Sequence, residues 1–196
     1  MMAGNQPSQR AIWTLADKPS GAAERNIRKA VIRLGDWLRD LPDVKINRSG
    51  SELIIKDVGL TRAAVSPIAY DSNTRSIEIN ERCRFWDDPK KSTHQQYKRR
   101  FLCSNRANHL EMHEVGHAQH HHQSEAVHNE LKGRGGIWPR GEQMELANRL
   151  SMKAAESPIE FVSEFYTARR LQIPIKPDLL AALEALYGIF AGPTWE

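Results

Sequence analysis

The string His113-Glu114-Val115-Gly116-His117 constrains this chain more than any other feature, because it lies inside a helical pattern. Two histidines four residues apart sit roughly 40° apart around a helix and one turn along it, so both imidazoles reach one ion while Glu114 lies beside them. Leu110 begins a stripe whose later members are Glu114, His117 and His121, so the face that should meet a core carries polar groups instead. Such groups need partners, since a buried imidazole or carboxylate without one costs stability. With 8 His in 196 residues the pattern is expected by chance only about 0.02 times. Gly116 costs a helix about 1 kcal/mol relative to Ala and points to close packing at that turn.

The spacing makes a two-ligand claw for Zn²⁺. A catalytic zinc takes three protein ligands and a water, lowers the pKa of that water, and leaves a neighbouring carboxylate to move the proton. Glu114 fits that general base. The chain has 196 residues, 40% of them hydrophobic and 27% charged, enough to bury a core without a metal staple, so a metal here would serve chemistry. The most apolar stretch, Leu179 to Ala191, is cut by Glu184 and falls short of the roughly 20 residues of a membrane span, so no span is expected. The opening residues show no secretory signal of the usual kind, and Cys83 and Cys103 read as free thiols, so synthesis in a cytoplasm is the expectation.

The organisation reads as a loose polar arm over residues 1 to 18 and one domain over 19 to 196. Ile27, Val31, Leu34, Leu38 and Leu41 recur at helical steps, between Ser20 as opener and Pro42 as stop. Leu53 to Val58 and Ser76 to Asn80 alternate like strands, with Ile77 and Ile79 on one face and Ser76, Glu78 and Asn80 on the other. Pro67 to Tyr70 and Ser76 to Asn80 flank Asp71-Ser72-Asn73-Thr74, which predicts a hairpin. A long helix is expected from about Asn105 to Leu131, capped by Ser104 or Asn105 and ended by Gly133, Gly135 and Gly136. Further helices are expected over Gln143 to Ala155, Ser157 to Leu171 and Pro177 to Ala191. The fold class is α+β: an N-terminal helix, a small mixed or antiparallel sheet, a central helix with the claw, and a helical C-terminal part.

The third ligand decides the class of site. A third His six residues after the claw is ruled out, because Gln123 stands there. The segment Ser157-Pro158-Ile159-Glu160-Phe161-Val162-Ser163-Glu164 offers two carboxylates four apart on one helix face, with Glu160 as ligand and Glu164 as acceptor for a ligand's N–H. The same residues also read as an ordinary start of a helix, with Ser157 as N-cap, Pro158 at N1 and Glu160 closing a capping box. His120, His121, His122, His128, Cys83 and Cys103 are rivals, and the triple histidine reads as an exposed helix end. Between Arg82 and Arg106 eight Lys/Arg stand against Asp87 and Asp88, so this stretch could meet an acidic partner or nucleic acid, or be a solvated connector.

His113 to Ala118, followed by Leu150 to Ala154 and Ser157 to Glu164, resembles the lethal-factor-like zincins, a gluzincin-type group of toxins and phage-encoded proteins. The likeness covers about residues 105 to 170. It implies a zincin-like fold and a zinc metallopeptidase cutting a protein or peptide substrate, with His113, His117 and Glu160 on zinc, Glu114 as base and Glu164 orienting a ligand. The group commonly has Tyr seven residues before the ligand Glu, as an oxyanion stabiliser, where this chain has Lys153; an ammonium there can serve as the electrophile, and Tyr166 and Tyr187 are substitutes. The same departure supports the alternative of a catalytically weak or inactive zincin scaffold with a structural or binding role. Delivery to a host cell, or association with a phage, is also in keeping with the group. Such folds commonly pair an extended peptide with an edge strand, for which Ser76 to Asn80 is the candidate.

Overall fold

The computed structural model describes residues 14–49, 54–55, 64–133, 137–138 and 141–181. Helix α1 (Gly21–Trp37) opens at Ser20, whose Oγ accepts the Ala23 N–H at 3.1 Å, and buries Ala23, Ile27, Ala30 and Leu34. It stops five residues short of Pro42. Leu38 and Leu41 are buried all the same, through tight turns in which the Leu41 N–H donates to the Leu38 C=O. Most of the arm expected over residues 1 to 18 lies outside the described residues, but its end is fixed rather than loose. Leu15 forms a bridge with Cys83, and the Ala16 N–H donates to the Arg82 C=O at 2.8 Å.

The sheet is mixed. Strand β1 (Lys45–Ser49), the two-residue pair β2 (Ile54–Ile55) and β3 (Ala64–Val65), β4 (Ile68–Asp71) and β5 (Ser76–Asn80) follow α1. The three-stranded order is β1-β5-β4, with β1 parallel to β5 and β4 antiparallel to it. The β4–β5 hairpin turns through Arg75 at φ 51, a left-handed position that costs an ordinary side chain some strain. Strand β1 was not expected, because Lys-Ile-Asn-Arg-Ser has one apolar residue and lies largely exposed. Residues 53 and 56 to 58 of the other expected strand lie outside the described residues.

Strand β5 corrects two expectations. It is the central strand, so both of its edges are taken and it offers none to a peptide. Its second face is not solvent either: Ser76 and Asn80 are buried, and the Asn80 C=O accepts the Trp86 indole N–H at 3.1 Å.

A 3-10 turn (Arg84–Asp87) buries Phe85 and Trp86, whose rings meet edge to face at 5.0 Å. Helix α2 (Pro89–Lys98) follows, capped by Asp88 and closed by Arg100 at φ 58; the Phe101 N–H returns to the Gln96 C=O and the Arg100 N–H to the Tyr97 C=O. The single long helix expected from Asn105 to Leu131 is two helices, α3 (His109–Gln123) and α4 (Glu125–Gly133), broken at Ser124. Ser104 does not cap α3. Its hydroxyl meets His109 Nδ1 at 3.0 Å and accepts the Arg106 N–H, which holds residues 104 to 106 in a turn before the helix.

The expected helix over Gln143 to Ala155 is likewise split, into α5 (Gly141–Leu150) and α6 (Met152–Glu156), because Ser151 takes an extended conformation and caps α6. Helix α7 (Pro158–Arg170) starts from Ser157 as foreseen, and residues 177–181 are helical; the rest of the helix expected to Ala191 lies outside the described residues.

Two apolar clusters hold the fold. One joins α1, the sheet, the 3-10 turn and one side of α3; the other joins α5, α6 and α7. Full burial of side chains such as Ile27, Leu34, Phe85 and Phe161 contributes about 1.5–3 kcal/mol each. Helix α3 runs between the clusters, with α1, β4, α4 and α7 around it. Met112, Val115 and Ala118 join the first cluster, while His109, His113, Gly116 and His117 meet α7.

Candidate metal centre

The crossing of α3 and α7 is unusually close at one point. A Cβ on Gly116 would stand 2.7 Å from Ser163 Oγ and 3.2 Å from Ser163 Cα and C=O, so only a glycine lets the helices approach this far. Ser163 Oγ also donates to the His113 C=O. This contact brings one turn of α7 against the claw.

His113 Nε2, His117 Nε2 and a Glu160 carboxylate oxygen converge. The nitrogens are 3.1 Å apart, Glu160 Oε2 is 2.9 Å from His113 Nε2 and 3.7 Å from His117 Nε2, and all three donor atoms lie within 4.8 Å of one another. Three lone-pair atoms facing each other repel unless a cation lies among them. A proton on His113 meets that need, and so does a metal ion. Burial alone would lower the His113 pKa, but Glu160 and Glu164 overcome it and push it up to about 10. Two imidazoles and one carboxylate from two helices suit a divalent metal of the zinc class.

Glu164 lies behind His113. Its Oε1 accepts from His113 Nδ1 at 2.9 Å and from His109 Nε2 at 2.7 Å, while Oε2 accepts the Cys103 N–H at 3.0 Å and the Ser151 hydroxyl at 2.8 Å. With Nδ1–H spent on Glu164, the Nε2 lone pair of a neutral His113 is turned toward Glu160 and His117. Burial would raise the Glu164 pKa, yet His109 and His113 hold it well below the carboxylate range. No comparable acceptor meets His117 Nδ1, which is buried without a partner among the described residues.

Cys103, His109 and Glu164 form a second group of donor atoms close enough for a metal. Here hydrogen bonds suffice. Glu164 already has four donors, and burial raises the Cys103 pKa so that the thiol keeps its proton. Cys83 is in the apolar core.

Lys153 is at the site. Its Nζ is 3.0 Å from Glu160 Oε2 and 3.0 Å from Glu156 Oε2, and its backbone N–H is tied to the Phe101 C=O at 3.0 Å. Burial would raise the Glu160 pKa, but Lys153, His117 and His113 bring it well below the usual range. Only half of the expected capping box forms: Ser157 Oγ accepts the Glu160 N–H at 3.3 Å, while the Glu160 side chain faces His113 and Lys153. Tyr166 is core, beneath Arg170, and Tyr187 lies outside the described residues.

Glu114 is fixed from the sheet. Its Oε2 accepts the Tyr70 N–H of edge strand β4 at 2.7 Å. The free sheet edge beside the claw therefore belongs to β4, not β5, and one of its outward donors is engaged by the carboxylate. The Tyr70 hydroxyl meets His121 Nδ1 at 2.8 Å. His120 and His121 are buried rather than an exposed helix end, with His128 against both rings, and only His122 of the run is exposed.

Sequence reasoning missed His109, Tyr70, Ser151 and Glu156. His109 had a signal, standing four residues before His113 as His113 stands before His117, and so had Glu156, three residues after Lys153 on the same helix; Tyr70 and Ser151 reach the site through tertiary packing. Comparison with protein-family models, with curated proteins and with solved structures finds no match for this chain.

Proposed function

We propose that this chain is a zinc-dependent metallopeptidase of the gluzincin type, in which His113, His117 and Glu160 hold the ion and Glu114 is the general base. The observation that carries the reading is the convergence of those three donor atoms within 4.8 Å, from two helices, beside a buried carboxylate that belongs to none of them. Zinc held there supplies Lewis acidity, which acidifies a water and polarises a peptide carbonyl.

The chain's own residues do the rest. Glu114, with Oε2 held by the Tyr70 N–H, has Oε1 to accept a proton and deliver it to the leaving amide nitrogen. Glu164 keeps the His113 ring in the orientation that presents Nε2. Lys153 brings a positive charge to the edge of the site, where negative charge develops on the carbonyl oxygen. The resemblance of residues 105 to 170 to the lethal-factor-like zincins supports the same assignment.

A second reading has its own observation. Lys153 pairs with both Glu156 and Glu160, so its charge is already compensated. A chain with a clamped Lys153 in place of a free hydroxyl fits a zincin scaffold of low or no activity with a binding role. Peptide-library cleavage separates the two. The peptidase reading expects metal-dependent turnover that Glu114→Gln abolishes without loss of zinc; zinc-loaded wild-type protein that cuts no peptide supports the scaffold.

A further inference from the structure

Several described cations on this surface are paired. Arg28, Arg33, Arg39, Arg48, Arg75, Arg84 and Arg149 each lie within 4.0 Å of a described carboxylate. The segment from Pro89 to Leu110 stands out by composition. It carries Lys90, Lys91, Lys98, Arg99, Arg100 and Arg106 with no Asp or Glu, and all six are exposed. None of the six makes an ion pair with a described carboxylate; Arg100 reaches only the Asn148 C=O, at 3.3 Å. On α2, Lys90, His94 and Lys98 follow one another at helical steps of four, while Thr93 and Gln96 are buried on the other side.

The chain leaving this face is tied by its backbone to the metal centre. The left-handed turn at Arg100 presents two carbonyls to the start of α6: the Met152 N–H donates to the Arg100 C=O at 2.8 Å and the Lys153 N–H to the Phe101 C=O at 3.0 Å. Two residues on, the Cys103 N–H is fixed to Glu164. The basic helix therefore ends on the same backbone that carries Lys153 into the site.

We infer that the α2 face and the turn after it bind an acidic stretch of an extended polypeptide, as the flank of the segment entering the metal centre. The inference rests on the peptidase reading for its direction, not for its binding surface. From Lys90 to Lys98 the helix rises about 12 Å. An extended chain covers that in about four residues. Four cations without a described carboxylate partner, spread over that length, call for acidic side chains in that register, and the peptidase reading makes their carrier a polypeptide.

The test uses full-length Glu114→Gln protein, so that binding is read without turnover, and two fluorescein-labelled dodecapeptides, one alternating Glu and Ala and one alternating Lys and Ala. The acidic peptide is expected to bind at least tenfold tighter than the basic one, with affinity falling as salt rises. Reversing the face (Lys90→Glu, Lys91→Glu, Lys98→Glu, Arg99→Glu) is expected to lower that affinity at least tenfold with zinc content and thermal midpoint unchanged. The milder set with Gln at the same positions gives a smaller loss in the same direction. Equal binding of both peptides, or affinity unmoved by either set, overturns the inference. A single-stranded oligonucleotide that binds tighter than the acidic peptide, and is lost with the same substitutions, also overturns it. Absence of zinc would end the peptidase reading alone, since the peptide measurement needs no turnover.

Discussion

Gly116→Ala tests the packing that assembles the site. In an exposed helix the change would stabilise by about 1 kcal/mol. Here the new methyl meets Ser163 Oγ at 2.7 Å and Ser163 Cα and C=O at 3.2 Å, against the roughly 3.5–4.0 Å of an unstrained contact. Rotating Oγ away gives up its hydrogen bond to the His113 C=O, worth about 1 kcal/mol, and leaves the backbone contacts in place. The helices must then part by a few tenths of an ångström, and such overpacking costs about 1–3 kcal/mol. The net expectation is a destabilisation of about 1–3 kcal/mol, or about 2–4 °C in Tm per kcal/mol for a chain of this size.

The proposed ligands are divided between the two helices, so the same shift should weaken zinc binding by about tenfold, in the range for disturbed supports of metal ligands. Thermal unfolding of the metal-free protein and a chelator competition assay read the two effects. Gly35→Ala is the control, since its Cβ meets nothing within 4 Å in α1, and it should stabilise by up to about 1 kcal/mol. If Gly116→Ala is as stable as Gly35→Ala and holds zinc as tightly as wild type, the close crossing is not what positions the site.

Glu164→Gln turns an amide toward four donors and should lower zinc affinity at least tenfold in the same competition assay; unchanged affinity would remove Glu164 from the support of His113. Acid should destabilise the metal-free chain. Burial holds His120 and His128 down to about 3, so between about pH 6.5 and 4.5 the unfolded chain binds protons that these two refuse, and stability falls by about 1.4 kcal/mol per pH unit for each. Glu160 and Glu164, with lowered pKa values, add to the loss below about pH 4.5. His113 runs the other way: its contribution is complete below about pH 6.5 and is lost as pH rises through about 10. Urea midpoints should therefore be higher at pH 6.5 than at pH 5 or pH 10, and a higher midpoint at pH 5 would contradict the burial of the histidine cluster.

The elements with strong local signals were legible. Ser20 and the Ile27–Leu34 stripe give α1, the Asp71–Thr74 cluster gives the hairpin, and Ser157-Pro158 gives the start of α7. What failed was decided by tertiary contact. Ser151 leaves the helix because its hydroxyl serves both Glu164 and the Ala154 N–H, and no periodicity in residues 143 to 155 carries that information. The break at Ser124 lets His128 turn back onto His120 and His121, so a histidine run that reads as solvent-facing is interior. Strand β5 became central because β1, almost without apolar residues, pairs with it in parallel, and a sequence-distant parallel partner leaves no trace in a local pattern. In the site, the spacing of His113, His117, Glu160 and Glu164 placed four residues on facing turns, whereas Tyr70 has no sequence relation to them.

On the proposed reading, one ion is gripped by His113, His117 and Glu160. Elemental analysis of purified protein after exhaustive dialysis tests it most directly. One zinc per chain is expected in wild type and in Glu114→Gln, and a loss of most of that zinc in Glu160→Ala. No stoichiometric zinc in wild type, or full zinc retained by Glu160→Ala, would contradict it.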